Sequence, residues 1–242
     1  MIFRYLVVLL VAGCCCLAAS ASPKGDLMEL WVKADIVIDE SGRVTALAWH
    51  NLHPEQDLIA GRLGSVVKRF EFEPGKVDGQ TVETRTGLTL QVIGEDAGDG
   101  TVLLRIGSAR TGALVDTMSA PRYPSAALRS GVSAHVVADV NVDVTGRAEL
   151  VGTTFTGSAG NGYRHLFERE VALSVKGCRF APEQVAGRAI PARMQIPFEF
   201  CVELAGWCEA QWTARLEAMP AGVPVALDSA VALKTDFRSL EI

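Results

Sequence analysis

Four small groups of residues carry side chains that could do chemistry, and each has a plainer reading. His50 and His53, with Glu55 and Asp57, are the donor types of a metal site. They fall around Pro54 in a loop, with no cysteine or third histidine nearby, so a solvated loop is expected rather than a site with a full ligand set. Cys178 and His165 have the composition of a thiol nucleophile and its base. Cys178 shares strand parity with Phe180, so it should point into the core as an inert thiol. Glu95, Asp96 and Asp99 could attract calcium, but they read as an acidic hairpin turn. Gly157 to Gly162 resembles a phosphate cradle superficially; no Lys-Ser/Thr follows, so it reads as a strand-to-helix loop. No catalytic residue, metal or cofactor is therefore expected, and the chain reads as a binding protein rather than an enzyme.

The elements that would position these residues are built twice. Ala34-Asp35-Ile36-Val37-Ile38-Asp39-Glu40-Ser41-Gly42-Arg43 recurs as Ala138-Asp139-Val140-Asn141-Val142-Asp143-Val144-Thr145-Gly146-Arg147, at an offset of 104 residues. Phe72-Glu73-Pro74 with Gly79 recurs as Phe180-Ala181-Pro182 with Gly187, at an offset of 108. The second copy thus carries a loop four residues longer. Identical turn residues around alternating apolar positions mark one unit made twice.

Within each copy the hydrophobic period changes from two to 3.6 and back. Trp31 to Asp39 places Val32, Ala34, Ile36 and Ile38 on one face of a strand. Gly42 turns a hairpin into Val44 to Trp49. Leu58, Ile59, Leu63, Val66 and Val67 then recur at helical spacing. Val82 to Val92 alternates again as a long strand, and Val102 to Ile106 can add a hairpin strand to it. The second copy opens with a short helix after Pro124, with Gly131 past its end. It continues as a strand from Ala134 to Val144, a return strand from Leu150 to Phe155, and a helix carrying Tyr163, Leu166, Phe167, Val171 and Val175.

The final strand is the clearest. Ile190, Ala192, Met194, Ile196, Phe198, Phe200 and Val202 are all even-numbered and apolar, while Pro191, Arg193, Gln195, Pro197, Glu199, Cys201 and Glu203 alternate with them. Two prolines on one side cannot donate ladder hydrogen bonds, so this strand is expected at a sheet edge. Cys201 falls on the outward side and Cys208 follows shortly, which makes Cys201–Cys208 the preferred disulfide if geometry permits. Gly206 to Met219 suggests a short helix, and order signals from Pro220 onward are weak.

The chain has 242 residues, 49% of them apolar, and a formal net charge of −5. That is enough apolar content for two small cores, and the charge argues against nucleic acid as a partner. Arg4, the apolar run to Leu17 and Ala19-Ser20-Ala21 form a signal segment cleaved after Ala21. Val11-Ala12-Gly13-Cys14 also fits a lipoprotein signal, with Cys14 the lipidated residue, and a retained anchor is the third alternative. All three place the folded part outside the cytoplasm, in the periplasm, and only a lipid or anchor at the N-terminus would tie it to a membrane.

Pro121-Arg122-Tyr123-Pro124, Ala126, Gly131, the Val140-x-Val142-x-Val144-x-Gly146 strand, Phe167, Phe180-x-Pro182, Gly187 and Pro197-Phe198-Glu199-Phe200 together resemble the TonB C-terminal domain family. The resemblance is strong over 121–202, and 31–92 reads as a degenerate copy lacking the opening Pro-x-Tyr-Pro. It implies an α+β fold of two tandem small domains, each a three-stranded antiparallel sheet with helices on one face. The expected organisation is a leader at 1–21 (or a lipoprotein signal to 13), domains at 22–106 and 121–203, a linker at 107–120, and a tail at 204–242. The resemblance further implies a periplasmic adaptor that takes an extended segment of an envelope protein, such as a TonB-dependent outer-membrane transporter, by strand addition. Arg193, Gln195 and Glu199 on the edge strand would be its contacts. With only Ser22 to Leu30 between leader and first domain, and no proline run among 10 prolines, the binding fold is implied more than energy transfer. The alternative is a structural or assembly module that self-associates through its sheet edges.

Overall fold

The computed structural model describes residues 28–50, 57–96, 102–202 and 223–237. In chain order these form β1 (Met28–Ile38), β2 (Val44–His50), α1 (Asp57–Val67), β3 (Phe72–Glu73), β4 (Lys76–Val77), β5 (Gln80–Thr81) and β6 (Thr84–Asp96). There follow β7 (Val102–Gly112), β8 (Leu114–Thr117), α2 (Ser125–Arg129), β9 (Ala134–Val142), β10 (Ala148–Gly157), α3 (Arg164–Gly177) and β11 (Arg179–Ala181). The last are β12 (Gln184–Val185), β13 (Arg188–Ala189), β14 (Ala192–Phe200), β15 (Val225–Ala226) and β16 (Ala232–Leu233). No described helix is long and apolar enough to cross a membrane.

The repeat is visible atom by atom in the two leading hairpins. The Asp39 carboxylate accepts from the Ser41 and Arg43 N–H groups and the Ser41 hydroxyl at 2.6–3.0 Å. Asp143 does the same with Thr145 and Arg147 at 2.7–3.0 Å. Gly42 has φ +86° and Gly146 φ +79°, and each carbonyl accepts from the N–H of the phenylalanine that closes its unit, Phe72 or Phe180, at 2.9 Å. These Asx turns fix the strand register from within seven residues of sequence.

Both turn carboxyls are held below the usual carboxylate range, first by the Ser41 or Thr145 hydroxyl and then by the N–H of Arg43 or Arg147. A depressed folded pKa adds stability above the unfolded value and loses it as pH falls through the folded one. Asp39→Asn with Asp143→Asn keeps an oxygen acceptor and removes the titration. Below about pH 4, the urea midpoint of this double variant should fall less steeply than that of the parent. Parallel midpoint-against-pH curves would dispose of the idea.

Two cores form, one per copy. Val32, Ala34, Ile36 and Ile38 of β1 and Leu88, Leu90 and Val92 of β6 meet Leu63, Val66 and Val67 of α1. Val136, Ala138, Val140 and Val142 of β9 and Met194, Ile196, Phe198 and Phe200 of β14 meet Phe167, Val171 and Val175 of α3. Burial at i, i+4 and i+8 on α3 is what one helical stripe against a sheet requires.

The expectation of two small three-stranded sheets with helices on one face is corrected. Of the described residues 53% are strand and 17% helix, the latter in three helices. β6 continues through a hairpin into the 11-residue β7, and β12–β13 of the second copy add to β6, so the order β13-β12-β6-β1-β2, with β7 also on β6, makes one large curled antiparallel sheet. The second sheet, β10-β9-β14-β15, has four strands. Both enlargements come from segments without a clean period of two. β7 is mostly half-buried on both faces, and β12, β13 and β15 are two residues long.

The segment 107–120, expected as a linker, carries the second half of β7 and all of β8, and β8 pairs with β11, Val115 opposite Phe180. In the stretch from Pro220, where order signals are weak, Val225–Ala226 form β15 and Ala232–Leu233 form β16. The short helix expected at 206–219 lies outside the described residues.

Candidate functional site

β14 is held on one side by β9, Ala192 opposite Val142 through Phe200 opposite Ala134. Its other side, expected as a free sheet edge, is taken in part by β15, which adds antiparallel with Met194 opposite Ala226 and Gln195 opposite Val225, so β14 is an inner strand along that stretch. The Leu227 N–H donates to the Arg193 carbonyl at 2.8 Å. The Arg193 N–H donates to Asp228 Oδ1 at 2.7 Å, and Arg193 Nε to Asp228 Oδ2 at 3.0 Å. Successive residues of a strand turn their main-chain groups to alternate sides. Arg193, Gln195, Pro197 and Glu199 therefore share the side that β15 occupies, and Pro191 and Pro197, which lack an N–H, bracket the paired stretch. Beside it an open groove of about 400 Å³ is lined by Asn141, Arg147, Glu149, Pro191, Arg193 and Asp228 among others.

The three expected contact residues are thus on one strand but differently engaged. Arg193 is 65% exposed and paired with Asp228. Gln195 donates from Nε2 to Asp139 Oδ1 at 2.8 Å, across the outer face of the sheet. Glu199 lies opposite His135 on β9, and partial burial pushes its carboxyl up. Cys201, one residue beyond β14, is disulfide-bonded, and Cys208 lies outside the described residues. Cys14 and the leader lie outside them too.

The other groups with chemical potential stay apart. Cys178 is fully buried and free, its Sγ reaching the Ser174 carbonyl at 3.5 Å, and burial pushes the thiol up. Cys178 follows the C-terminal end of α3 and His165 sits in its first turn, about 20 Å away at 1.5 Å per residue. His50 pairs with Asp35 at 3.2 Å, while His53 and Glu55 lie outside the described residues. Glu95 pairs with Arg105 at 2.9 Å. Among the described residues no cluster of three His, Cys, Asp or Glu could hold a metal. A larger open groove, about 680 Å³, runs under Pro121 to Ser125 along α3. Several of its polar groups are engaged structurally, Arg169 with Glu170 at 2.8 Å and the Ser174 hydroxyl on the Ser119 carbonyl.

Two residues escape the sequence reading. Asp228 sits in a stretch with no periodic signal. Glu183, 1% exposed, lies where the two copies and the tail meet. Its Oε1 accepts from the Thr86 hydroxyl at 2.6 Å and the Ser229 hydroxyl at 2.8 Å, and its Oε2 from the Ala230 N–H at 3.0 Å. One signal could have found it: the repeat aligns Glu183 with Gly75, a glycine whose added Cβ would meet Thr84 Oγ1 at 2.8 Å and Val185 at 3.0 Å. A glycine on one side and a carboxylate on the other let the copies close on each other.

No protein-family model and no curated protein matches the chain.

Proposed function

We propose that this protein is a periplasmic adaptor that binds an extended segment of an envelope protein by strand addition to β14. The observation that carries this reading is the edge itself, which accepts an extended segment, residues 225–227, on main-chain hydrogen bonds. Main-chain pairing supplies affinity and the alternate side chains supply selectivity. The resemblance of 121–202 to the TonB C-terminal domain supports a TonB-dependent outer-membrane transporter as the class of partner, and the leader supports the compartment.

Gln195→Pro tests the edge directly. It removes the N–H that faces β15 and leaves the ladder with β9 on its other side. The chain should keep its circular dichroism spectrum and lose at least about 90% of the transporter it captures from detergent-solubilised envelope, since β-augmentation depends on that main-chain edge. Capture of the same transporter by both proteins would reject the edge.

A structural or assembly role is favoured by a different observation. β12 of the second copy pairs with β6 of the first, Gln184 opposite Arg85 and Val185 opposite Thr84, so sheet edges of this chain do serve to join its own parts. That role gives no transporter capture, and a sedimentation coefficient that rises with protein concentration.

A further inference from the structure

We infer that the β14 edge is a receptor for an acidic extended peptide, and that the chain's own segment 225–228 is its resident, displaceable occupant. The inference rests on the strand-addition reading above and specifies what that edge recognises.

Three features of the bound segment define the ligand. The residue opposite Gln195 begins the pairing. The next is Ala226, whose Cβ seats over Gly112: a Cβ added at residue 112 would come within 2.3 Å of it, so the close approach needs glycine there and the position is filled by a small side chain. The residue three positions after the first is an aspartate, whose two oxygens take the Arg193 N–H and Nε. Leu227 between them is 48% exposed and leaves its position open to many side chains. The pattern is a residue opposite Gln195, a small residue, an open position, then Asp.

The occupant is held weakly at this end and firmly beyond it. β15 has two residues, and the Arg193–Asp228 pair is 65% and 45% exposed, so solvent screens it. Farther on, Val231 is buried in the first core, with Leu233 and Phe237 packed against it. The Thr111 hydroxyl donates to the Val231 carbonyl at 3.3 Å, the Lys234 N–H to the Glu71 carbonyl at 2.8 Å, and the Glu71 N–H to the Thr235 hydroxyl at 2.7 Å. A competing strand can therefore lift 225–228 from β14 while 231–237 stay anchored, so opening the edge does not require unfolding the tail.

The test uses the full chain and a fluorescein-labelled peptide of sequence Val223 to Ala230. Asp228→Ala weakens the resident occupant, so this variant should bind the peptide about tenfold tighter than the parent, the size set by losing charge-assisted hydrogen bonds. Adding Arg193→Ala to Asp228→Ala should abolish the gain, as should replacing the aspartate of the peptide by alanine. Equal binding by parent and Asp228→Ala, no binding by either, or a gain that survives Arg193→Ala overturns the inference. A parent protein that dimerises through exchanged tails also overturns it, since the occupant is then a second copy. Peptide binding without transporter capture would sink only the adaptor reading. Transporter capture sensitive to Gln195→Pro without peptide binding would sink only this one.

Discussion

Gly146→Ala should lower the stability of the second unit by about 3–4 kcal/mol and its melting temperature by about 12 °C or more, measured by circular dichroism. Two costs combine. Residue 146 has φ +79°, a left-handed conformation that alanine adopts only with strain. A Cβ built there would also lie 2.0 Å from the Phe180 carbonyl oxygen, a backbone atom that no rotamer change can move. Either the Asp143 turn opens or the Phe180–Gly146 hydrogen bond breaks. Gly42→Ala should do the same to the first unit, because its Cβ meets the Phe72 carbonyl oxygen at the same 2.0 Å. Matching losses from the two variants would establish that the copies depend on the same contact. A melting temperature within about 2 °C of the parent for Gly146→Ala would mean that the turn relaxes freely.

Phe167→Ala is expected to cost about 4 kcal/mol in urea unfolding, within the range for large aromatic truncations in cores. Phe167 is fully buried at the centre of the second core. Its ring lies 4.8 Å from Phe200, 5.8 Å from Tyr123 and 6.0 Å from Phe155. These neighbours come from β14, the stretch before α2, and β10, so one truncation loosens three segments on α3 at once. Tyr123 in turn donates its hydroxyl to the Val132 carbonyl at 2.7 Å, which ties the Pro-x-Tyr-Pro stretch to the start of β9. The support behind the β14 edge would soften, so partner binding should weaken along with stability. A loss below about 1 kcal/mol would show that the cavity collapses and that the aromatic cluster adds little.

The duplication was legible because its signals are local. Asp39, Ser41 and Gly42, or Asp143, Thr145 and Gly146, make every contact that defines their turn within a few residues, so the residue types alone identify them. The even-numbered apolar run from Ala192 to Phe200 likewise specifies which face of β14 meets the core, since side chains on a strand alternate whatever lies next to it. Cys178 sits in the core as its parity requires. The size of the sheets was not legible. Which strand lies beside β6 depends on β12 reaching it from almost a hundred residues away, through two residues that carry no period of their own. The same holds for Asp228, whose meaning depends on being brought to Arg193.

The sequence by itself determined that one unit is built twice, where each unit turns and which faces are apolar. Those properties follow from backbone preferences and side-chain alternation over a few residues. Only the tertiary structure decided how the units join and what lies on the edge. Glu183 is buried against Thr86, Ser229 and Ala230, β12 completes the sheet of the other copy, and residues 225–228 fill part of β14. Each of these is a pairing between distant segments, and hydrogen-bonding groups on an edge can be satisfied by any extended chain that arrives there. Arg193 could be read from the sequence as an outward residue of this strand, but its pairing with Asp228 and the seat of Ala226 on Gly112 exist only once the segments have folded against each other.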